Sequence, residues 1–480
     1  MKNKEQKIAE IHNQLGQIIG DLEKKSKSRT ALHKIEGSIF QQLLLLGRSL
    51  VLLYIHLMKA AIDPIKPRGY SFKGQSSRIY RSVFGCIAIE RKKYWIRGKK
   101  THYPLDVQLN LGSSRYSYLL DDWLADGSVE MDFHHSAGLL GRILGQDLSA
   151  MQASRRTYKL SEQVDAYYEQ KHEQSDLKSY THLSLGFDGK GIPIRRSQTH
   201  RQAESTVSRL AKGKKKEVKK EATLCLSSCF TRKARTTAQI IAALFNGVIP
   251  KEDKDLSNKW HERKHIRAFL SNKPRAIEYG FDHAINRELE EKPIIVLIDG
   301  APSLEHTIKQ EVQNQGIEHR VDAYILDFIH LLEYVWKVAN AHLGENNPQR
   351  EVWVRKHAQL LLESKTDQVI NRWQKILDQG QWSNYKRTLL ERSIKYLKNR
   401  PHMVDYKTYL RKGYPITTGA VESACGHFIK SRMERNAMHW SYEGAQKMLD
   451  IRAVKKNGDW KDYIQFFIEQ EQKEIYERAA

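Results

Sequence analysis

Three acidic residues in unlike settings have the types and spacing to do chemistry together. Asp188 lies in Leu-Gly-Phe-Asp-Gly-Lys-Gly, Asp299 in Ile-Ile-Val-Leu-Ile-Asp-Gly-Ala, and Glu422 in Thr-Gly-Ala-Val-Glu-Ser-Ala. Both aspartates end apolar runs, which predicts two buried strands, each stopped by a glycine, with a carboxylate at the C-terminal edge of a sheet. Glu422 is predicted to lie on a helix. Carboxylates from two strand ends and a helix supply the oxygen ligands that a pair of Mg²⁺ (or Mn²⁺) ions takes.

The chain around these carboxylates is strongly basic. Among 480 residues, Lys and Arg number 80 and Asp and Glu 56, a net charge of +24, which indicates a polyanionic partner. The length predicts two to four domains. Four cysteines without a CxxC pair support neither a zinc module nor a disulfide framework. An acidic centre in a basic chain is typical of enzymes that cut or join nucleic acid, although RNA-binding proteins share such a charge.

The sequence favours a soluble protein of the reducing cytosol. No signal peptide is recognisable at the N-terminus. The most apolar stretch, from Ile39 to Met58, contains Gln41, Gln42, Arg48 and His56, which argues against a membrane span. We therefore expect this stretch to be a packed helix and the protein to have no membrane partner.

The N-terminal third divides into three predicted regions. Residues 1–62 repeat apolar residues at helical spacing and predict two amphipathic helices, either an oligomerisation arm or a hairpin packed on its own domain. Residues 63–130 predict a small basic β-rich module, with strands at Val83–Glu90 and Tyr94–Arg97 joined by three cations. Residues 131–180 resemble a helix-turn-helix. The exposed face of its second helix, which would open at Leu148, carries candidates for base and phosphate contacts: Gln152, Arg155 and Arg156.

The remainder predicts an α/β fold built on an RNase H-like mixed sheet with an all-α insertion. In residues 181–326, strands are expected at Leu183–Phe187, Ile192–Arg195, Ala222–Phe230, Ile294–Ile298 and Val321–Leu326, with a helical stretch that contains Lys264, Arg267 and Lys273. Residues 327–412 form the helical insertion, 413–455 carry the Glu422 helix, and 456–480 a last helix. The basic run from Arg195 to Lys220 is either a solvated loop or a contact for the phosphate backbone, through Lys214, Lys215 and Lys216.

Four motifs together carry a resemblance to a known family. They are Asp-Gly-Lys-Gly at 188–191, Asp-Gly-Ala at 299–301, Asp-Phe-Ile-His-Leu-Leu-Glu-Tyr-Val-Trp at 327–336, and the run from Gly419 to Ser441. In these motifs the chain resembles a DDE transposase of the ISKra type. These bacterial insertion-sequence enzymes are related to the Mutator-like group and have an RNase H-like core interrupted by a helical insert. The resemblance covers about residues 181–450.

The resemblance implies a site and partners. Asp188, Asp299 and Glu422 would be the catalytic triad that holds two Mg²⁺ ions, and Asp327 and His330 an accessory motif. The partner would be double-stranded DNA, both the terminal inverted repeats of the element and its target, bound by a homo-oligomer in the bacterial cytosol on the nucleoid.

The last motif also supplies candidate DNA contacts. Lys430, Arg432 and Arg435 are expected to face phosphates, and His439 and Trp440 to stack on or wedge beside a DNA end. For Trp440, core packing is the favoured alternative. Two other functions stay open: a catalytically silent, domesticated DNA-binding regulator, and a structure-specific nuclease with the same fold. Strand transfer with terminal-repeat DNA discriminates among the three.

Overall fold

The computed structural model describes residues 2–98, 101–171, 180–195, 218–246, 262–286, 291–435 and 438–476. The chain folds into two compact units. One consists of Met1–Tyr168 together with Gly458–Ala480, and the other of Glu169–Asn457. The seven regions that the sequence predicts are therefore grouped into two bodies, and the last helix belongs to the N-terminal one.

The N-terminal unit is mainly helical and carries one β-hairpin. Its elements are α1 (Lys2–Lys27), α2 (Leu32–Ile62), β1 (Ser71–Ser82), β2 (Gly85–Trp95), α3 (Pro104–Gln108), α4 (Tyr118–Glu130), α5 (Phe133–Leu144), α6 (Ala150–Leu160), α7 (Val164–Gln170) and the C-terminal α18 (Trp460–Tyr476). Helix α18 is bonded into this unit at both ends. Trp460 Nε1 donates to Asp122 Oδ1 (2.6 Å), and Glu471 accepts from the hydroxyls of Ser113 and Tyr118 (2.6 and 2.7 Å).

Helix α2 is packed along only part of its surface. Ile55 is buried with Ile87 and Ile89 of β2, and Val51 and Leu52 pack against this cluster. Other apolar side chains, including Leu43, are exposed. Within the described residues, α2 is the one helix long and apolar enough to cross a membrane, with a mean hydropathy of 1.6 in a window that the fold leaves unburied. The predicted packed helix is thus a surface helix with one packed side.

The β-hairpin has a different register from the predicted one. Strands β1 and β2 pair antiparallel and turn between Ser82 and Gly85, so the cations around Arg91 lie inside β2 and not in the turn. Gly85 allows this turn because its φ is +105°. Arg91 is held in the strand by an ion pair with Asp106 and by the ring of Tyr103, 3.8 Å from its guanidinium carbon.

Helices α5 and α6 form the pair that the helix-turn-helix pattern predicts. Gly145 ends α5 in the left-handed conformation (φ 62°). Ser149 starts α6 with a capping box, in which its side chain accepts from the Gln152 amide and the Gln152 side chain accepts from the Ser149 amide. The second helix therefore begins at Ala150 instead of Leu148, and Leu148 is buried in the turn.

The second unit is a mixed α/β body built on a five-stranded sheet. Its strands are β3 (His182–Ile194), β4 (Val218–Phe230), β5 (Glu262–Leu270), β6 (Ile294–Ile298) and β7 (Val321–Leu326), in the order β5-β4-β3-β6-β7. Strand β4 runs antiparallel to β3 and β5, whereas β6 is parallel to β3 and β7 is parallel to β6. The first three strands thus form a meander, and the last two extend it in the direction of β3.

Two strand predictions were wrong. Strand β3 runs without interruption past Asp188, because Gly189 and Gly191 leave room for the side chains of Glu221 and Lys219 on β4; a Cβ at these glycines would lie 2.9 and 3.2 Å from them. The cationic stretch read as helical is β5, in which Arg267 is 2% exposed and pairs with Asp450 at 3.3 Å. Charge along this segment masked a buried strand.

Helices cover the sheet and fill the segment after β7. They are α8 (Thr237–Asn246), α9 (Lys273–Asn286), α10 (Pro302–Asn314), α11 (Phe328–Leu343), α12 (Gln349–Leu362), α13 (Thr366–Gln379), α14 (Asn384–Lys398), α15 (Tyr406–Lys412), α16 (Gly419–Ala424) and α17 (Tyr442–Lys456). Every element from Phe328 to Lys412 is helical, as the sequence predicts for residues 327–412. Helix α16 continues through a π-helical segment (Cys425–Lys430) and a last turn (Ser431–Met433).

Candidate active site

Asp188, inside β3, and Asp299, directly after β6, occupy corresponding positions of two neighbouring parallel strands. Gly186 of β3 pairs with Leu297 of β6 in the parallel ladder, and each aspartate follows its strand position by two residues. Asp188 Oδ1 accepts the amide hydrogen of Gly189 (2.7 Å), and Asp299 Oδ1 that of Ala301 (2.9 Å). Both carboxylates are half-buried. Two neighbouring strands therefore present one carboxylate each, at the point where β6 ends.

Glu422 reaches the same edge because its helix packs directly on β3. A Cβ on Gly186 would lie 2.3 Å from Val421 Cγ2, well inside van der Waals contact. Val421 is itself buried, with 1% of its surface exposed. Only glycine at position 186 lets the helix come this close, two residues before Asp188. One turn further along the helix, the Cys425 thiol is hydrogen-bonded to the Asp188 carboxylate.

Buried Asp327 fixes the start of the helix that carries Glu422. Its Oδ1 accepts the His330 amide hydrogen (2.6 Å), which caps α11, and its Oδ2 accepts both the amide and the hydroxyl of Thr418. The Thr418 hydroxyl also lies 3.3 Å from Glu422 Oε1. Because a hydroxyl has one hydrogen, it donates to one of the two carboxylates at a time. Asp327 is fully buried and positions Glu422 through Thr418.

The electrostatics of Glu422 place Asp327 and Asp188 near it. Burial raises the pKa of Glu422, and the charges of Asp327 and Asp188 raise it further, whereas the Thr418 hydrogen bond and His330 lower it. The mutual repulsion of these carboxylates is what a bound cation would relieve. Burial and the neighbouring Asp188 also raise the pKa of the Cys425 thiol. Cys425 therefore stays protonated at neutral pH and is no nucleophile.

The helix changes its pitch immediately after Glu422. The π-helical segment Cys425–Lys430 displaces the backbone, a feature that is frequent at functional sites. Arg452 of α17, which is completely buried, donates from Nε to the Phe428 carbonyl (2.7 Å) and from Nη2 to the His427 carbonyl (2.8 Å). These bonds hold the π segment against α17.

The predicted DNA contacts in this motif fall into two groups. Lys430, Arg435 and His439 are exposed. Arg432 and Trp440 are not, with 1% and 4% of their surfaces exposed, and the guanidinium carbon of Arg432 lies 4.8 Å from the centre of the Trp440 ring. Neither can face phosphates or stack on a DNA end, so both predicted DNA contacts were wrong. Trp440 packs in the core, which was the favoured alternative.

Trp440 ties the end of the motif to β3. Its amide donates to the Pro193 carbonyl (3.1 Å), its carbonyl accepts from the Arg195 amide (2.7 Å), and its Nε1 donates to the Met433 carbonyl (3.0 Å). The indole thus closes the Glu422 segment back onto the strand that carries Asp188.

In the N-terminal unit, the candidate base-reading residues of α6 are partly engaged elsewhere. Arg156 forms a bidentate ion pair with the buried Asp121, with Nε and Nη2 at 2.8 and 2.7 Å from its two oxygens. The Gln152 carboxamide oxygen is taken by the capping box. Arg155 is exposed. The expected role of Arg156 is therefore replaced by a structural one. The other predicted phosphate contacts, Lys214, Lys215 and Lys216, lie outside the described residues.

A pocket of about 1070 Å³ opens beside Asp299, between α11 and α14. His330 lines it, and so do residues that were not predicted from the sequence: Tyr334, Lys337, Tyr385, Arg392, Lys395 and Tyr396. The signal in the sequence was the spacing of Tyr385, Arg392 and Tyr396, which recur at seven and four residues and so share one face of α14.

A metal-ligand cluster is not formed by the side chains as they stand. In the described ranges, no three His, Cys, Asp or Glu side chains are grouped closely enough to hold a metal ion. Glu422 lies near Asp188, and Asp299 follows the strand next to that of Asp188, but the three carboxylates do not close into a ligand set. A comparison of the sequence with protein-family models finds no match, and a comparison with curated proteins finds none either.

Proposed function

We propose that this protein is a DDE-type transposase, which binds the ends of its own insertion sequence, cleaves DNA in a metal-dependent reaction and transfers the strand. The observation that carries the proposal is the convergence at the sheet edge. Asp188 and Asp299 end up on neighbouring parallel strands, and Gly186 admits the helix that bears Glu422. These three residues come from distant parts of the chain, and each matches the family motif at its own position.

An RNase H-like core is part of this proposal. Three antiparallel strands come first, and two helix–strand units parallel to the first strand follow, which is the order of elements in such a sheet. A helical insertion then separates β7 from the Glu422 helix. The likeness in topology supports the proposed fold, while the site residues support the proposed activity.

The donor set suits Mg²⁺ or Mn²⁺. Asp188, Asp299 and Glu422 offer only oxygen ligands. The pKa of Glu422 is raised first by burial and then by the negative charges of Asp327 and Asp188, which a divalent cation would offset. Two such ions, when bound, would stabilise charge on the attacking and leaving oxygens of a phosphodiester. The protein's own part is to hold the strand carboxylates in register and to orient Glu422 through Thr418 and Asp327.

The charge of the chain suits DNA as the partner. A net charge of +24 favours a polyanion, and exposed Lys430 and Arg435 lie on the Glu422 segment, where a scissile strand would pass. The proposed partners are duplex terminal inverted repeats and target DNA, bound by a homo-oligomer in the bacterial cytosol. Asp327 acts in this scheme as a positioning residue, and His330 as a neighbour of Glu422 that also borders the pocket.

The test is Mg²⁺-dependent nicking of a terminal-repeat duplex by Glu422→Gln, Asp188→Asn and Asp299→Asn. If each substitution removes about 4 kcal/mol of transition-state stabilisation, cleavage slows by roughly 10³. Binding of DNA without metal and the thermal midpoint should stay near wild type. Glu443→Gln is the matched control, because this carboxylate is exposed and pairs with Lys447 away from the site.

Each function predicts its own result. Near-normal nicking by folded Glu422→Gln would remove Glu422 from the site. Nicking by the wild type without strand transfer would identify a structure-specific nuclease. Tight DNA binding without any nicking would identify a silent regulator. Inverted repeats in the DNA on both sides of the gene would support the transposase independently.

A further inference from the structure

We propose that the pocket between α11 and α14 binds unpaired nucleotides of the DNA strand that passes Asp299. This inference rests on the proposed function and extends it to a second site. The pocket begins at the Asp299–Gly300–Ala301 turn and extends along α14, over a volume of about 1070 Å³. That is the upper end of the range for small-ligand pockets, so it can take more than one nucleotide.

Aromatic rings line the pocket where bases could stack. Tyr385 is 77% exposed, although a large aromatic side chain is usually covered. Deeper in, the rings of Tyr334 and Tyr396 stack with centroids 4.1 Å apart and planes 13° from parallel. The exposed ring of Tyr385 offers its π-faces to bases, whereas the stacked pair, whose rings already contact Lys337 and Arg400, gives the pocket a rigid wall. In a duplex the bases already stack on each other, so only an unpaired nucleotide can use the Tyr385 ring.

Cationic side chains line the same pocket as the tyrosine rings. Arg392 and Lys395 are exposed on α14 and line the pocket, and in the described part of the chain neither forms an ion pair. Lys337 lies 4.6 Å from the centre of the Tyr334 ring. Alternating aromatic and cationic side chains are the composition of grooves that bind single strands, in which rings hold the bases and cations the phosphates. A purely apolar ligand would leave these cations without a role.

The wall of the pocket is bonded to the turn that carries Asp299. The Tyr396 hydroxyl donates to the Asp299 carbonyl (2.8 Å), and buried Arg400 donates to the Gly300 carbonyl and to the Tyr396 carbonyl (2.8 Å for the latter). These bonds hold the ring of Tyr396 and the backbone of Asp299 in one rigid piece. A nucleotide stacked in the pocket would therefore have its neighbouring phosphate close to Asp299.

The test measures binding of the full-length protein in EDTA to two probes. One is a blunt 30-base-pair duplex, and the other is the same duplex with a four-thymidine 3′ overhang. Stacking of one or two bases should make the overhang probe bind on the order of 10-fold more tightly. Tyr385→Ala and Arg392→Gln should bring this ratio towards one and leave blunt-duplex affinity unchanged. Tyr385→Phe keeps the ring and should keep the ratio.

Arg387→Gln is the matched control for charge, because Arg387 is exposed on α14 but does not line the pocket; it should leave the ratio unchanged. An equal ratio in the wild type and in both Tyr385→Ala and Arg392→Gln would overturn the proposal, and so would a wild type without overhang preference. Neither readout needs metal or cleavage. Absence of nicking by the wild type would refute the transposase while the binding ratio still tests the pocket, and normal nicking without an overhang preference would refute the pocket alone.

Discussion

Replacing Gly186 with alanine should displace Glu422 from the two strand aspartates without removing any carboxylate. The new Cβ would lie 2.3 Å from Val421 Cγ2, whereas ordinary contact begins at 3.4 Å, so the helix must move by about 1 Å or the strand must bend. Overpacking of this kind costs about 1–3 kcal/mol of folding free energy. A misplacement of about 1 Å in a reacting group costs on the order of 10² in rate. Nicking should therefore fall much more than stability does.

The matched variant is the double substitution Gly186→Ala with Val421→Ala. Val421→Ala removes the methyl group that clashes, at a cost of its own of about 1–3 kcal/mol, because Val421 is buried. The two changes should not be additive, and a coupling free energy of about 1–3 kcal/mol should favour the double variant. Nicking by the double variant should recover at least part of the loss.

Chemical denaturation of all four proteins gives the coupling free energy, and nicking of a terminal-repeat duplex at saturating DNA gives the rate. Gly191→Ala is a useful comparison, because a Cβ there would lie 3.2 Å from the Lys219 Cβ, a much milder approach than the 2.3 Å at position 186. Strict additivity of the two free energies would show that position 186 does not control the approach of the helix. A Gly186→Ala variant with the wild-type nicking rate would refute the role of this approach in activity.

Three further results are expected. Arg156→Ala should lower the free energy of unfolding by about 3 kcal/mol, because it leaves Asp121 buried without its partner. Arg155→Ala should leave the free energy of unfolding unchanged and reduce discrimination for terminal-repeat DNA. Equal stability of the two variants in chemical denaturation would contradict a stabilising ion pair. Burial lowers the pKa of His357 from 6.5 to about 4, so between pH 7 and 5 the unfolded chain binds a proton at this residue and the folded chain does not. Acidification from pH 7 to 5 should therefore lower the free energy of unfolding by about 2 kcal/mol, and His357→Phe should not show this loss. Filter binding should show duplex affinity falling by on the order of 10³ between 50 and 200 mM salt if six or more phosphates are contacted, and salt-independent binding would exclude this mode.

Local patterns in the sequence were sufficient for the elements with strong periodicity. The apolar run before Asp299 is strand β6, every residue of which is buried, and the helical insertion and the helix of Glu422 also occur where the sequence predicts them. Such elements are specified by neighbouring residues, since side-chain period and burial coincide. The candidate triad could be named because Asp299 and Glu422 belong to such elements and because the motifs around all three residues resemble those of one family.

The failures lie where a residue's role depends on a partner far away in the sequence. Arg156 has the pattern of an exposed recognition residue, but its partner Asp121 lies 35 residues earlier on α4. The residue types of Arg432 and Trp440 favour DNA contacts, but in the fold the guanidinium of Arg432 packs on the Trp440 ring in the core. In β5, the charge of Arg267 interrupts the apolar pattern of the strand, and its ion-pair partner Asp450 is too distant in the sequence to be predicted.

The sequence by itself determined the acidic residues, the elements of Asp299 and Glu422, and the basic character of the chain. Only the tertiary structure decided that Gly186 is the contact that brings Glu422 to the strands, that the last helix belongs to the N-terminal unit, and that α11 and α14 enclose a pocket beside Asp299. The physical reason is that composition and periodicity describe one element at a time. Which elements touch, and how closely, follows from the packing of side chains across the whole fold.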